Sequence, residues 1–247
     1  MKPKRLACAM GIIGLLSVPG TRWAQSAPTG ATAGPSATHQ VPGADTLPPT
    51  IPIFPLPDAV LFPNVSLPLH IFEPRYRAMV ADALQGDRII GMVLLEPGYE
   101  ANYEGRPPVY PIGCAGVITH AERLSDGRFN IVLGGLVKFR VTGEDQSRPY
   151  RLAHVDAMPE LPDDEERAAL RKQRQRLEAV AAAFIGGAGS QPRFPPETPD
   201  GDLVHALAQY LELDPIERQA LLERQGVLSR AHALIDLLEK KVMAPRE

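Results

Sequence analysis

Residues 54–77 read FPLPDAVLFPNVSLPLHIFEPRYR and hold three backbone patterns in succession. The strand pattern Ile51–Phe54 is cut by the two prolines that follow it, because proline has no amide hydrogen for a sheet. Residues 65–72 predict a second strand, and Pro68 within it indicates a sheet edge or a bulge. Glu73-Pro74 then predicts a helix start, since proline suits the first helical position and a carboxylate suits the positive helix end.

Downstream, the apolar pattern predicts more strands than helices up to residue 158. Further predicted strands are 88–95, 112–124, 128–141 and 150–158. Asp126-Gly127 is typical of a hairpin turn, and Gly134-Gly135 indicates a bulge or bend in the strand that follows. Sequential hairpins without repeated crossover helices predict an antiparallel, barrel-like sheet of about six strands, with one embedded helix.

The pattern becomes helical after Pro162. The helix from Asp163 or Asp164 to about Ile185 carries an apolar stripe at helical spacing. Further helices are predicted over 202–213, from Pro215 to Gly226, and over 229–242. The predicted fold class is therefore α+β, with a sheet subdomain at 50–160 and a C-terminal helical bundle at 161–247.

The first residues have the three-part pattern of a secretory signal peptide. A basic start precedes an unbroken apolar or small run from Leu6 to Val18, and Ala24 and Ser26 supply small residues for cleavage. The run is shorter than the roughly 18–20 residues that a membrane helix needs. We therefore predict a signal peptide at 1–26, a periplasmic or secreted protein, and no stable membrane span after processing. An uncleaved anchor or a misassigned start site, which would leave the protein cytoplasmic, are the alternatives.

Residues 27–49 consist mainly of Ala, Pro, Thr, Gly and Ser, with Asp45 as their single formal charge. Such a segment buries too little apolar surface to offset the entropy of ordering it. It is predicted to be a disordered linker. The whole chain, by contrast, is 44% hydrophobic and 22% charged, which is near the globular average and excludes wholesale disorder.

Composition and motifs also exclude several classes of function. The formal net charge of -3 gives no basis for binding nucleic acid, and no phosphate-binding loop of the G-x-x-x-x-G-K-[ST] type occurs. The histidines are scattered without metal-ligand spacing. Cys114 is interpreted as a small buried residue, and Lys138 has no serine near it in sequence for a Ser-Lys pair. We predict neither an enzyme nor a metal or other cofactor.

Four segments carry a family resemblance: Phe54–Pro63, Leu67–Arg77, Pro111–Gly116, and Glu122–Leu133 with Phe139-Arg140. Their residues, order and spacing resemble the Lon protease N-terminal domain over about residues 50–242. The resemblance implies a six-stranded, PUA-like pseudobarrel followed by a helical bundle. In the full protease this domain helps to select and hold unfolded or degron-bearing polypeptide. The resemblance does not extend to ATPase or protease domains, which this sequence lacks.

The resemblance implies a non-catalytic polypeptide-binding module. The predicted signal peptide adds that this module is exported and therefore independent of ATP, which departs from the family, whose protease works in the cytosol or an organelle matrix. An adaptor that binds one folded partner is the alternative, and a small-molecule sensor or enzyme ranks third. The oligomeric state is left open. The predicted peptide-binding residues are the loop tyrosines Tyr99, Tyr103 and Tyr110, although they could equally pack the loop down. The residues expected to form the family signature and support the fold are His70, Glu73, Pro74, Arg75, Tyr76, Arg77, Gly113, Gly127 and Arg128.

Several residues of these segments are expected to have structural roles. His70 is expected to hydrogen-bond within the fold, and Phe54 and Phe62 are expected in the core. Glu73 and Arg75 are expected to order the joint between strand and helix, although they could mark a binding surface. The arginines of the first long helix are expected on a solvated face, or against an acidic partner.

Overall fold

A computed structural model describes residues 47–99, 106–186 and 195–243. The predicted signal peptide and all but the last three residues of the predicted linker lie outside these ranges. The elements are β1 (Thr50–Leu56), β2 (Ser66–Ile71), α1 (Pro74–Gln85), β3 (Ile89–Leu94), β4 (Ile112–Arg123), β5 (Phe129–Asp145), β6 (Arg151–Met158), α2 (Asp164–Ile185), α3 (Asp200–Tyr210), α4 (Pro215–Leu222) and α5 (Val227–Met243). None of the helices among these residues is long and apolar enough to cross a membrane.

The six strands form one sheet whose pairings return to their starting strand. β5 pairs with β4, β4 with β3, β3 with β1, β1 with β6, and β6 again with β5. The long β5 makes this possible, because its first half pairs with β2 and its second half with β6. Within the described residues β2 pairs with β5 alone, so β2 forms an outer edge of the sheet.

The prediction of an antiparallel sheet is wrong for one pair of strands. β1 and β3 run parallel, so the sheet is mixed. Between them the chain passes through β2, on the other side of the ring, and through α1 before it returns. A parallel pair requires a connection of this length, whereas a tight turn would give an antiparallel pair.

The prediction that prolines end the first strand at Phe54 is also wrong. β1 continues through Pro55, which lies opposite Val93 of β3, and ends at Leu56. The register of β6 with β1 ends at Ile53, so Pro55 lies beyond the part of β1 that pairs with β6. Proline is tolerated there because it lies outside that pairing.

A small apolar cluster fills the inside of the ring. Its buried members come from all five ring strands and none from β2: Ile51, Ile53, Ile89, Val93, Ala115, Phe139, Ala153 and Val155. Phe139 is fully buried there, and a Cβ on Gly91 or Gly113 would lie 2.7 Å from its ring. The two glycines therefore provide the space that the phenylalanine occupies.

The predicted irregularity at Gly134-Gly135 is confirmed. Gly116 of β4 pairs with Gly135 whereas its neighbour Ala115 pairs with Val137, which leaves Leu136 as the extra residue of a bulge. A Cβ on Gly135 would collide with the carbonyl of Phe62. The bulge lets the segment after β1 cross β5 closely.

A second, larger core joins the outside of the sheet to the helices. Phe62 is fully buried, and its amide donates to Oε1 of Gln209 on α3 at 3.2 Å. α2 and α5 pack together over this core and bury Leu177 and Leu234. The apolar core is thus continuous across the predicted boundary at residue 160.

Candidate functional site

An apolar groove of about 330 Å³ opens where the ends of β1 and β2 meet the start of α1. We call it the β2 groove. Its lining residues are Phe54, Leu56, Pro57, Leu69, His70, Ile71, Phe72, Glu73, Tyr76 and Leu95. Most of them belong to the segment with which the sequence analysis began.

Two buried aromatic rings form the inner side of the β2 groove. Phe54 and Tyr76 pack with ring centroids 4.3 Å apart, and both are almost fully buried. The prediction that Phe54 is a core residue is confirmed, and the same ring also lines the groove. Pro74 is the first residue of α1 and fixes the direction in which Tyr76 points inward.

The charged residues beside the β2 groove neutralise one another. Nε of Arg75 donates to Oε2 of Glu73 at 2.9 Å, and the Arg75 guanidinium lies 4.5 Å from the Tyr76 ring centroid. The pair orders the joint between β2 and α1, as the sequence indicates. The groove consequently presents apolar surface without an excess charge close to it.

His70 is held by a chain of hydrogen bonds on the surface of the sheet. The Arg128 guanidinium contacts Nε2 of His70 at 3.3 Å, and Nδ1 of His70 lies 2.8 Å from Oδ1 of Asn130. Nδ2 of Asn130 donates to Glu122 at 2.9 Å. An arginine can only donate, so the proton of a neutral His70 belongs on Nδ1. This is the hydrogen bonding within the fold that the sequence predicts for His70.

The outer edge of β2 runs along the β2 groove. The Tyr210 hydroxyl donates to the carbonyl of Ser66 at 2.8 Å, which shows that this carbonyl faces away from β5. Alternate residues of a strand direct their backbone groups to the same side. The carbonyls of Pro68 and His70 therefore face outward too, and Pro68 has no amide to offer there.

The hairpin turn between β4 and β5 contains two further residues of the family signature, Gly127 and Arg128. Gly127 has φ +80°, and a Cβ there would lie 2.5 Å from the Arg77 guanidinium of α1. Arg128 pairs with Asp126 at 2.6 Å across the same turn. Gly127 is thus favoured by its backbone conformation, whereas the flexible end of the Arg77 side chain could move aside for a Cβ.

Of the predicted tyrosines, the two that the structure describes, Tyr99 and Tyr110, do not line the β2 groove. Tyr99 is 45% exposed but lines no part of it. Tyr110 is half-buried against the core, and its amide donates to the carbonyl of Leu94. Tyr103 lies outside the described residues. Their role in peptide binding stays a prediction.

Sequence reasoning missed Phe72, the most exposed aromatic ring among the described residues. Its side chain is 61% exposed at the rim of the β2 groove, and it stacks beside His70 with centroids 6.3 Å apart. Together with the apolar lining beside it, the exposed ring forms a continuous apolar patch, which is typical of an interaction surface. The alternation of β2 could have indicated it, because Phe72 follows the buried Ile71 directly.

The buried thiol and the buried amine lie away from the β2 groove and are poor nucleophiles. Burial raises the pKa of Cys114 to about 12, so the thiol stays protonated at neutral pH. Lys138 is fully buried, and its Nζ donates to Glu160 and to the carbonyl of Arg224, each at 2.7 Å. Within the described residues no cluster of three or more His, Cys, Asp or Glu side chains could hold a metal ion.

Comparison with known proteins gives the family. The family described as "ATP-dependent protease La (LON) substrate-binding domain" matches residues 50–240. The chain belongs to this family. The match confirms the resemblance carried by the sequence, and it covers all six strands and most of the four helices that follow them.

Curated relatives of this LON-family chain are much longer. "Lon protease 2" of Myxococcus xanthus is 27% identical over 201 residues, which are 80% of this chain and 24% of that protein. "Lon protease 2" of Syntrophobacter fumaroxidans is 31% identical over 182 residues, 72% of this chain and 22% of that protein. The chain thus spans about a quarter of the length of the relatives it matches, and the protease and ATPase domains are not detected in it.

Two solved structures share the fold. The Lon N-terminal domain protein from Xanthomonas campestris superposes with a TM-score of 0.52 at 23% identity, covering 76% of this chain and 97% of that one. The N-terminal domain of the Mycobacterium avium complex Lon protease gives 0.56 at 18% identity, covering 77% and 98%. At these identities the likeness establishes the fold alone.

Proposed function

We propose that this LON-family chain is a non-catalytic module that binds unfolded or apolar polypeptide in the β2 groove. The observation that carries the proposal is the exposed Phe72 ring beside an apolar groove and an outer strand edge. Its family is described as substrate-binding, which agrees with a polypeptide ligand.

Two physical contributions favour an extended polypeptide as the ligand. The outward carbonyls of Pro68 and His70 can accept hydrogen bonds from the backbone of an added strand. One apolar side chain of that strand would cover Phe72 and enter the β2 groove. Burying a Leu-sized or Phe-sized side chain contributes about 1.5–3 kcal/mol.

Binding without ATP and outside the cytoplasm forms part of the same proposal. The sequence holds no phosphate-binding loop, so a nucleotide cycle has no place to act in this chain. The basic start, apolar run and small residues at 1–26 support export. An exported module of this kind would hold clients by equilibrium binding only.

A fluorescence anisotropy titration with a labelled unfolded protein tests the proposal. We expect saturable binding that many apolar peptides compete away. Phe72→Ser should weaken it about five- to tenfold, because the exposed ring is lost. Ile216→Ser is the matched control, since Ile216 is 52% exposed on α4 and does not line the β2 groove. Equal affinities for the two variants, or no binding by the unchanged chain, would refute the proposal.

A further inference from the structure

A second cavity lies at the junction of the sheet with the helices. It has a volume of about 470 Å³ and is lined by β5, the connection from β6 to α2, and the starts of α2, α3 and α5. It shares no lining residue with the β2 groove. We call it the junction cavity. Its size suits a small ligand.

A cluster of buried charges of unequal number adjoins the junction cavity: Lys138 and Glu160 line the cavity, and Arg230, which does not line it, contacts Glu160. Lys138 and Arg230 are both fully buried. Both donate to Glu160: Lys138 at 2.7 Å, and Arg230 at 2.9 Å to each carboxylate oxygen. One carboxylate thus serves two cations, and a positive charge is left over.

The neighbouring His205 is neutral, so it neither offsets nor increases the excess positive charge of the cluster. Nη1 of Arg230 lies 2.7 Å from Nε2 of His205, which must accept because arginine only donates. Burial and the adjacent Arg230 lower the pKa of His205 to about 3, so its ring is neutral at neutral pH. The excess positive charge therefore remains, and a buried charge without a partner is costly.

The ammonium of Lys138 has a donor to spare. It carries three N–H groups, and two of them reach Glu160 and the carbonyl of Arg224. Lys138 lines the junction cavity, so its third donor can serve an acceptor placed there. On the opposite wall Asp200 forms an ion pair with Arg174 at 2.9 Å, whereas Asp202 accepts a hydrogen bond from the neutral side-chain amide of Asn64 at 2.8 Å and keeps its negative charge.

The mouth of the junction cavity is basic and apolar. Arg171 of α2 lines it and is exposed. Leu161 is 80% exposed at the same opening, and Leu136 and Met158 add apolar lining. A ligand that fits both features needs an acidic group and an apolar body.

We propose that the junction cavity binds a carboxylate carried on a small apolar group, with the carboxylate directed to Lys138 and the apolar body against Leu161. Charge complementarity carries this assignment, because the ligand's negative charge balances the buried excess. The same chemistry occurs in a free apolar acid and in the C-terminus of a polypeptide that ends in apolar residues. This site is independent of the proposed β2 groove.

Paired probes test the proposal on the purified chain. Octanoate is compared with octanamide, and a short leucine-rich peptide with a free C-terminus is compared with its C-terminal amide, each by calorimetric titration. At least one acid should bind about tenfold more tightly than its uncharged partner. Octanoate alone would identify a free acid, the peptide alone a polypeptide C-terminus. If neither acid binds more tightly than its amide, the proposal is overturned.

Variants at the mouth locate the binding without disturbing the core. Leu161→Asp places a negative charge at the opening, whereas Leu161→Asn changes shape and polarity equally without a charge. We expect Leu161→Asp to weaken binding of the acid about tenfold relative to Leu161→Asn, and Arg171→Gln to weaken it about threefold. Both side chains are exposed, so folding should be unaffected. Equal affinities for Leu161→Asp and Leu161→Asn would overturn the proposed location.

Discussion

The β2 groove and the junction cavity are opposite in character although one chain folds around both. The β2 groove is apolar and lies at a sheet edge, and Glu73, the charged side chain that lines it, is paired with Arg75. The junction cavity adjoins a buried cluster of Lys138, Glu160 and Arg230, which are linked by short hydrogen bonds.

Because of this difference, substitutions in one region should change binding affinity and substitutions in the other should change stability. Exposed apolar area at the β2 groove stabilises a complex but contributes little to the folded chain, so changes there should affect affinity. Buried ionic groups at the junction cavity cannot lose a partner without leaving buried hydrogen-bonding atoms unsatisfied. Changes there should affect folding first.

The largest expected effect comes from removing Arg230, one of the two buried cations that share Glu160. Arg230→Met deletes hydrogen bonds to Glu160, His205 and backbone carbonyls in a fully buried position. Because several buried acceptors would be left without a donor, we expect a loss of about 3–5 kcal/mol in the free energy of unfolding, measured by urea denaturation. The control Arg176→Met breaks an exposed pair with Glu239 and should cost less than about 1 kcal/mol. Similar losses in the two variants would contradict the expected difference between a buried and an exposed arginine.

The second-largest loss of stability is expected inside the five-strand ring, where apolar packing and not buried charge determines the cost of a substitution. Gly113→Ala would place a methyl group against the carbonyl of Met92 and 2.7 Å from the Phe139 ring, at an expected cost of about 2–3 kcal/mol. Gly201→Ala is the control on helix α3, where the added carbon meets only Val227 at 3.6 Å. It should leave stability unchanged or raise it by up to about 1 kcal/mol. Thermal unfolding of both proteins checks the difference.

Stability should depend on pH through His205. The unfolded ring binds a proton below its ordinary pKa of about 6.5, whereas the folded ring stays neutral down to about 3. The contribution of His205 to the free energy of unfolding is therefore fully present above pH 6.5 and is lost as the pH falls from about 6.5 towards 3. Between pH 7 and pH 5 the loss should be about 2 kcal/mol. His205→Gln keeps an acceptor for Arg230 and should remove most of this slope in urea titrations at the two pH values; an unchanged slope would assign it to other groups.

The smallest expected change in stability belongs to the β2 groove. Phe72→Ser removes a ring that is 61% exposed, so the free energy of unfolding should change by less than about 0.5 kcal/mol. Phe62→Ala removes a fully buried ring and should cost about 3–5 kcal/mol. A large loss for Phe72→Ser would show that the ring supports the fold, and the distinction between the two regions would fail.

The sequence predicted the elements of the fold well because their signals are local. Glu73-Pro74 predicted the start of α1, and Asp214-Pro215 predicted the start of α4, where the Asp214 and Glu217 side chains form a capping box. The parallel pairing of β1 with β3 was not predictable in this way, since it depends on where the chain returns after α1. The wrong prediction of a strand end before Pro55 has the same cause, because the free-energy cost of a proline in a strand depends on how the neighbouring strands pair at that position.

The two candidate sites differ in how far the sequence could indicate them. The β2 groove is built largely from one continuous segment, so its residues were already prominent, although the exposure of Phe72 was not predicted. Lys138, Glu160, His205 and Arg230 come from β5, a connection, α3 and α5. No spacing in the sequence links them, because only tertiary packing brings them together. The tyrosines were chosen for their loop position, which does not determine contact with a groove.

Site-specific crosslinking tests the central claim most directly. A photoreactive phenylalanine analogue is introduced at position 72 and, in a matched protein, at position 216, and each is irradiated with a labelled unfolded client. The account predicts strong client crosslinking from position 72, competed by apolar peptides, and little from position 216. Equal crosslinking from the two positions, or none from position 72 under conditions in which the client is bound, would contradict the claim that the β2 groove holds polypeptide.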